Sequence, residues 1–486
     1  MSASREKQKR RELYDSGALT KQAKAKEKEK KSQVRTAIYA AIAIVFVVVF
    51  LLLVILNSNF YMEHKTAATV GDEKVSVVDF DYYYRSQLNN YANYFGDYWS
   101  TYANYFTSDS FVSSALDSIQ QTAVLTDEAE KAGFAISAED QETIESTVAS
   151  YASYAGTAGY GSTDAFLEAI YGNGCSEDSY RAWLADQLLA SAYAADKRAS
   201  FTYTDEQKQD YYASNVNDFD TVTYRTFYIS GAETDELTAE EAMANAQQIA
   251  ESMAAAAQGN EAAFNDLCAQ NASSEDIAAY YQDDPDYSLV KNASYSSVAE
   301  SCAEWLFDQS RIGGETAAIA ADTGYYALYF VERNTPDYNT VNVRHILVSV
   351  DDDTSETDAL LTAEDLLSQW EAEGGTEELF AQYADSYSDD GAEGGLYENV
   401  YKGQMVAEFE DWCYDPARQP GDTGIVQSSY GFHIMYFVSQ GDNYLLTSVE
   451  DSMRSADYSA WFEALAENYP VATVESGLKH CKLDVQ

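Results

Sequence analysis

Residues 303–331 read AEWLFDQSRIGGETAAIAADTGYYALYFV, and residues 410–438 read EDWCYDPARQPGDTGIVQSSYGFHIMYFV. Self-similarity at a fixed spacing indicates a repeated structural unit. The chain therefore contains two copies of one domain. At a constant offset of 107 residues the two stretches share a closing Tyr-Phe-Val and, without a gap, the following identities: Trp305/Trp412, Asp308/Asp415, Arg311/Arg418, Gly314/Gly421, Thr316/Thr423 and Gly324/Gly431.

The repeat extends upstream to a predicted first strand. YRTFYIS, from Tyr224, matches VRHILVS, from Val343, at an offset of 119, so the first copy has about twelve more residues in its middle. The copies span 221–333 and 340–440 and are joined by the polar RNTPDYNT. Each reads as a strand, two or three helices, a glycine-containing loop, a helix and two strands. The predicted fold class is therefore α+β.

The residues before the first copy have the pattern of a helical domain, 65–220. An extended entry at 70–77 leads into a helix whose apolar residues recur at three- and four-residue steps: Phe80, Tyr83, Tyr84, Leu88, Tyr91 and Phe95. Further helices are predicted to begin at residues that commonly cap helix N-termini: Ser137, Ser162, Ser176 and Thr204.

The N-terminal segment has the composition of a membrane anchor. AIYAAIAIVFVVVFLLLVIL, residues 37–56, contains no charge and is long enough to span a bilayer as a helix. The basic segment 1–36 before it should stay cytoplasmic, which sends the bulk of the chain outside the cell membrane. A cleaved signal peptide is the competing interpretation, but NSNFYMEHK follows the span where a small-residue cleavage site would be expected.

The charge of the chain excludes one class of partner. Through Arg35 there are 12 Lys/Arg and 5 Asp/Glu, which leaves 18 basic and 75 acidic residues in the remainder. Such a field repels phosphate backbones, so no nucleic-acid partner is expected. The five cysteines have no C-x-x-C and no histidine at metal-ligand spacing, so we expect no metal and no cofactor. Buried free thiols are favoured, and one or two disulfides remain an alternative.

The chain has only four histidines, and two of them lie in predicted strands of the second copy. His345 is in NVRHILVS and His433 is in GFHIMYFVS, so neighbouring strands would place both imidazoles on one face of the sheet. A single strand histidine is usually a core residue that has its hydrogen bonds satisfied. The first copy, however, keeps the framework and has Thr226 and Tyr326 at these positions. The fold does not need the histidines, so we predict a function for them.

The motifs of the second copy resemble those of the parvulin family of peptidyl-prolyl cis/trans isomerases. The resemblance covers residues 340–440: NVRHILVS, FAQYADSYSDD, the pair Gly394/Gly395, KGQMVAEFEDW and PGDTGIVQSSYGFHIMYFV. The whole layout resembles the exported foldases of the PrsA and SurA type. It implies a helical chaperone-like domain, then two tandem parvulin-like α+β domains, the first of them degenerate. The tail, 441–486, contains a predicted helix and by analogy folds back on the N-terminal helices.

The resemblance also implies roles for individual residues. His345 and His433 fall on the paired active-site histidines, and Asp390 falls where parvulins have Cys or Asp. A set of apolar residues falls on the proline pocket and its rim: Met405, Phe409, Tyr430 and Phe432. The usual G-G-D-L-G-W-F is replaced by GGLYENV, 394–400, so one wall of the pocket is expected to differ.

Several of these residues also have an interpretation that involves no function in catalysis or binding. Asp390 has the sequence context of a solvated loop carboxylate, beside Asp389 and Glu393. Met405 and Phe409 have the i, i+4 spacing of ordinary core packing. The tyrosines crowded into 82–105 would serve equally as a client-binding surface or as core residues.

The sequence fits three classes of function to different degrees. The first is an exported isomerase and chaperone acting on unfolded or newly secreted polypeptides with X-Pro bonds, whose isomerisation unaided takes tens to hundreds of seconds. The second is a non-catalytic holdase or scaffold in which both copies bind peptides. A hydrolase is disfavoured because Ser388 and Ser429 lack a nucleophile signature.

Overall fold

The computed structural model describes residues 3–56, 59–351 and 354–485. The chain forms two compact units. The first consists of Met1–Ser200 with Asp457–Gln486, and the second of Phe201–Ala456.

The first unit is helical apart from one small sheet. The extended entry expected at 70–77 is instead a hairpin of two strands. The elements are α1 (Ala3–Asp15), α2 (Ala18–Leu56), α3 (Asn59–His64), β1 (Thr66–Val70), β2 (Glu73–Ser76), α4 (Val77–Phe95), α5 (Trp99–Tyr102), α6 (Ser108–Ala132), α7 (Ala138–Thr157), α8 (Thr163–Ile170) and α9 (Glu177–Ser200), with 3-10 turns at Gly96–Tyr98 and Ala103–Tyr105.

The long helix α2 contains the apolar segment. Among the described residues, one stretch, Lys24–Leu51, is long and apolar enough to cross a membrane, and its side chains are not buried by the rest of the protein. By length and composition the same stretch also fits a signal sequence.

The tyrosines in and after helix α4 fall into a buried group and an exposed group. Tyr82 and Tyr84 are fully buried in the core of the first unit, and the Tyr82 ring stacks on Trp183 at 5.5 Å between centroids. Tyr94, Tyr98 and Tyr105 are exposed. The core interpretation therefore holds for the first group, and the second group is exposed to solvent.

The second unit begins with two short helices and continues with the first copy. Its elements are α10 (Asp205–Ser214), α11 (Val216–Phe219), β3 (Thr221–Ser230), α12 (Ala239–Ala257), α13 (Glu261–Asn271), α14 (Glu275–Asp283), β4 (Leu289–Ala293), α15 (Glu300–Leu306), β5 (Thr316–Ala321) and β6 (Gly324–Asn334). The helix start predicted at Thr204 is confirmed, and Thr204 forms a capping box with Gln207. The helix it begins lies in the second unit, although we assigned it to the helical domain 65–220.

The second copy follows directly. Its elements are β7 (Asn339–Ser349), α16 (Glu356–Ala372), α17 (Glu377–Tyr387), a 3-10 turn at Glu393–Gly395, β8 (Leu396–Val400), α18 (Ala407–Cys413), β9 (Thr423–Ser428) and β10 (Gly431–Asn443), after which α19 (Tyr444–Ala466) leads to the tail.

The two copies have the same antiparallel sheet. The strand orders are β4-β3-β6-β5 and β8-β7-β10-β9. Thr226 faces Leu328 in the first copy as His345 faces Met435 in the second, so the register is the same. The α+β fold is confirmed, but each sheet has a fourth strand, β4 or β8, where a loop was expected. Both strands are short and contain an asparagine at φ +51°, Asn292 or Asn399, which interrupts the alternation that would identify a strand.

The sheet of the second copy is covered by helices on both faces. On one face, Ile346 and Ile434 pack with Trp370 of α16 and Phe380 of α17. On the other face, the strand residues pack against α18 in a second core: Val341, Val343, Met435, Phe437, Phe409 and Cys413. Because side chains alternate along a strand, the odd-numbered residues His345 and His433 lie on the α18 face.

The tail 441–486 is divided between the units: residues 441–456 belong to the second unit, and Asp457–Gln486 belongs to the first. Strand β11 (Val471–Thr473) pairs with β1, which gives the order β11-β1-β2, and α20 (Glu475–Leu478) follows. The Tyr84 hydroxyl donates to the Leu483 carbonyl at 2.9 Å. The Lys482 amide donates to the buried carboxylate of Asp81 at 2.8 Å. The C-terminal residues therefore complete the core of the N-terminal domain.

Candidate active site

The two histidines of the second copy meet on the sheet. His345 of β7 is opposite Met435, and His433 of β10 is opposite Leu347, so the two rings are diagonal neighbours on one face. Their Nδ1 atoms are 3.2 Å apart. The residues are only 3% and 5% exposed. The meeting of the imidazoles predicted from strand parity is confirmed.

Asp390 reaches the pair from the loop after α17. Ser388 Oγ accepts from the Leu347 amide at 3.0 Å, and the Asp389 amide donates to the Leu347 carbonyl at 2.9 Å, so the loop is fixed to β7. The next residue, Asp390, then places its Oδ2 3.3 Å from His345 Nε2. The carboxylate is therefore bound in the site and is not a freely solvated loop residue.

Gly395 permits this close approach of loop and strand. Its φ is +61°, in the left-handed region that favours glycine. A Cβ at this position would collide with the His345 carbonyl oxygen. The close approach of the His345 carbonyl thus explains why a glycine occurs at position 395.

Tyr397 of β8 contacts both Asp390 and His345. Its hydroxyl lies 2.9 Å from Asp390 Oδ1 and 3.1 Å from Oδ2, and its ring centroid lies 5.2 Å from that of His345. The Ala392 amide donates to Asp390 Oδ1 at 3.1 Å. The Asp390 carboxylate therefore accepts from a phenol, an amide and an imidazole, a set of donors that suits its ionised form.

Ser428 of β9 closes the other end of the network. Its Oγ is 2.7 Å from His433 Nε2 and accepts from the Tyr430 amide at 3.1 Å. At the offset of 107, the first copy has Ala321 at this position. The serine therefore accompanies the histidines and is not part of the shared framework.

One carboxylate fixes the direction of the whole chain of hydrogen bonds. Asp390 Oδ2 faces His345 Nε2 at 3.3 Å, and a proton on this nitrogen would make His345 Nδ1 the acceptor of the pair. His433 then donates from Nδ1, which leaves its Nε2 to accept from the Ser428 hydroxyl. Each of the four ring nitrogens has one partner, and this arrangement is compatible with one tautomer for each imidazole.

Both imidazoles are neutral at pH 7. Burial, followed by the nearby His433, lowers the pKa of His345 to about 4, against an opposing effect of Asp390. Burial also lowers the pKa of His433, with Asp390 and Glu408 opposing. Burial and then Asp390 raise the pKa of Tyr397 to about 12, so its phenol keeps its proton. The site is thus a neutral polar pair next to one carboxylate.

Helix α18 supplies an apolar wall. Phe409 lies nearly perpendicular to both imidazoles, with centroids 5.3 Å from His345 and 5.6 Å from His433. Met405 is partly buried against the same core. Phe409 is therefore beside the histidines, although it is also a core residue, and Met405 packs against the core that contains Phe409.

The structure does not place Tyr430 and Phe432, the other two residues predicted at the pocket, beside the histidine pair. Tyr430 is 62% exposed at the turn between β9 and β10, and its backbone amide, bonded to Ser428, is its link to the network. Phe432 packs against Ile346 and Ile434 on the opposite face of the sheet. A shift of one residue along a strand reverses the face, so Phe432 cannot line a site that contains His433, and its assignment is corrected.

Sequence reasoning missed Tyr397 and Ser428. The first lies in GGLYENV, which was recognised only as a departure from the family pattern. The second was visible in the duplication, because Ser428 aligns with Ala321 as the histidines align with Thr226 and Tyr326. Comparing the copies at every position of the α18 face would have found both.

Known proteins match both units of the chain. The profile of the SurA-like N-terminal domain matches residues 27–194, and that of the PPIC-type PPIase domain matches residues 326–440. Chaperone SurA of Nitrosospira multiformis is 27% identical over 173 residues, which cover 34% of this chain and 38% of that protein. The chain thus spans less than half the length of this relative.

Two crystal structures of the peptidylprolyl isomerase PrsA are also similar. The protein from Bacillus anthracis is 22% identical, over 29% of this chain and 59% of that chain, with a TM-score of 0.18. The protein from Bacillus cereus is 25% identical, over 26% and 48%, with the same TM-score. From the two profile matches, the chain combines a SurA-like N-terminal domain with a PPIC-type, that is parvulin-type, peptidyl-prolyl isomerase domain.

Proposed function

We propose that the second copy catalyses cis/trans isomerisation of X-Pro bonds in unfolded or newly secreted polypeptides. The observation that carries this proposal is the neutral, buried His345–His433 pair, which the first copy replaces with Thr226 and Tyr326 on the same fold. A pair needed only for folding would be expected in both copies.

The chemistry requires no covalent bond to the protein. Rotation about an X-Pro amide must overcome about 18–20 kcal/mol, because resonance is lost in the twisted state. A site that holds the proline ring on an apolar wall and excludes water favours the twisted amide over the planar one. About 5 kcal/mol of such selective stabilisation gives a few thousandfold acceleration.

Each residue has a proposed part in this reaction. Phe409 and Met405 form the wall for the proline ring. His345 and His433 supply a polar but uncharged surface to the twisting amide, and Asp390 holds their tautomers. Tyr430, exposed beside Ser428, contacts the polypeptide outside the proline.

The rest of the chain is proposed to bring clients to this site. The helical domain, with its exposed Tyr94, Tyr98 and Tyr105, binds unfolded segments as a chaperone. Helix α2 anchors the protein in the cell membrane as a single span, with its basic N-terminal flank in the cytoplasm and the bulk of the chain outside. The acidic surface favours basic clients.

A proline-limited refolding assay with the full chain in detergent micelles tests the activity. We expect His345→Ala and His433→Ala each to lower kcat/KM on the order of a hundredfold, equivalent to about 2.7 kcal/mol. Thr226→Ala and Tyr326→Ala are the matched controls and should leave the rate unchanged. Equal rates for the wild type and both histidine variants would reject the isomerase and leave the non-catalytic holdase.

A further inference from the structure

Tyr397 occupies a position that neither the mechanism above nor the framework explains. It lies in β8, whose counterpart β4 has Val290 at the same offset of 107. Valine is compatible with the strand pairing, so the fold does not require a phenol there. The hydroxyl of Tyr397 lies within hydrogen-bonding distance of both oxygens of Asp390.

The Asp390 side chain needs such a partner. It is 27% exposed and its contact with His345 is comparatively long, at 3.3 Å, so water competes for the carboxylate. The Ala392 amide binds only Oδ1. A carboxylate held at one oxygen can still rotate, and rotation would turn Oδ2 away from His345.

We propose that Tyr397 is a positioning residue, which fixes Asp390 so that one tautomer is imposed on His345 and through it on His433. Its ring centroid also lies 5.2 Å from that of the His345 ring. Burial and then Asp390 raise the pKa of Tyr397 to about 12, so the phenol keeps its proton at neutral pH. This inference rests on the proposed isomerase site but concerns hydrogen-bond order, which is observable without activity.

Selective labelling gives a direct measurement, because the chain has only four histidines. We would record ¹⁵N spectra of the full chain in detergent micelles with ¹⁵N-histidine, for the wild type and for Tyr397→Phe. The wild type should show His345 protonated on Nε2 and His433 protonated on Nδ1. The variant should show His345 averaged between its two tautomers.

Kinetics on the same samples provide the second readout. Tyr397→Phe should lower kcat about tenfold, equivalent to about 1.4 kcal/mol, and leave KM within twofold, because phenylalanine keeps the ring and removes only the hydroxyl. Tyr414→Phe is the matched control: Tyr414 donates to the Val400 carbonyl at 2.8 Å in the same domain, outside the network. It should change neither kcat nor the spectra.

The outcomes separate the two proposals. Unchanged tautomers in Tyr397→Phe would overturn the positioning role even if the wild type is an active isomerase. Equal effects of Tyr397→Phe and Tyr414→Phe would also overturn it, since general loosening of the domain would then explain both. An inactive wild type with the expected spectra would reject the isomerase and retain the positioning role.

Discussion

The two α+β copies share their framework residues. They differ on the face of the sheet that packs against α18 in the second copy and α15 in the first. Both have an arginine on the first strand paired with a glutamate, Arg225 with Glu261 at 2.8 Å and Arg344 with Glu377 at 3.0 Å. Both stack a second arginine on a tryptophan, with the guanidinium 4.1 Å and 3.9 Å from the ring centroid in the first and second copy, respectively. These shared contacts stabilise the fold, and neither touches the histidines.

A separate set of positions changes together between the copies. Five residues of the second copy that form the network or its wall have different counterparts in the first: His345 and Thr226, His433 and Tyr326, Ser428 and Ala321, Tyr397 and Val290, and Phe409 and Cys302. The carboxylate does not follow this pattern, because Asp390 aligns with Asp283 at the offset of 107. The joint difference at these five positions supports the proposal that they act together in the second copy.

The largest expected difference concerns the wall residue. Phe409 and Cys302 occupy equivalent helix positions, and both are 2% exposed. Phe409→Ala should destabilise the second copy by about 4 kcal/mol, because it opens a large cavity. Cys302→Ala should cost the first copy about 1 kcal/mol. Hydrogen exchange of the β7 and β3 amides measures the stability of each copy separately. Similar losses of stability in the two copies would contradict the expected difference.

The copies should also differ in their response to acid. His345 titrates at 6.5 when unfolded and at about 4 when folded, so between these values the unfolded state binds more protons. The stabilisation is complete above pH 6.5 and is lost as pH falls toward 4, on the order of 2 kcal/mol for this group. The first copy, with Thr226 and Tyr326, lacks this contribution.

The pH profile of activity follows from the same shift. We expect kcat/KM to be constant from pH 8 to pH 6 and to fall as His345, whose pKa burial lowers to about 4, becomes protonated. A midpoint near 6.5 would show that the imidazoles are solvated in the working protein, in conflict with their burial.

A smaller effect is expected at the serine. Ser428→Ala removes the donor to His433 Nε2 and should lower kcat/KM three- to tenfold, equivalent to about 1 kcal/mol. The reciprocal change, Ala321→Ser, adds a hydroxyl to the first copy and should have no effect on the rate. An unaltered rate for Ser428→Ala would place the serine outside the catalytic network.

The smallest effect is expected from transplanting the histidines. Thr226→His with Tyr326→His, made in the His345→Ala background, should restore no measurable isomerisation. The carboxylate comes from the loop after α17, and in the first copy helix α14 occupies the corresponding connection. Recovery of a tenth of the wild-type rate would show that the imidazole pair suffices without the carboxylate.

Much of the fold was predictable because its signals are local. The period-two alternation of β7 and β10 placed His345 and His433 on one face, and the duplication gave the strand register of both copies. The capping boxes at Ser137 and Thr204 fixed two helix starts. Phe432 was misplaced only because its assignment rested on the resemblance, whereas its own parity pointed to the other face.

The sequence by itself determined the repeated domain, its α+β class, the shared face of the two histidines and the apolar N-terminal helix, because each depends on the order of nearby residues. Only the tertiary structure decided that Asp390, Tyr397 and Ser428 complete the network and that the tail pairs with β1. These contacts join residues that lie far apart in the sequence. They depend on where loops close and on which strand pairs at the edge of a sheet, and such long-range packing leaves no periodic pattern in the chain.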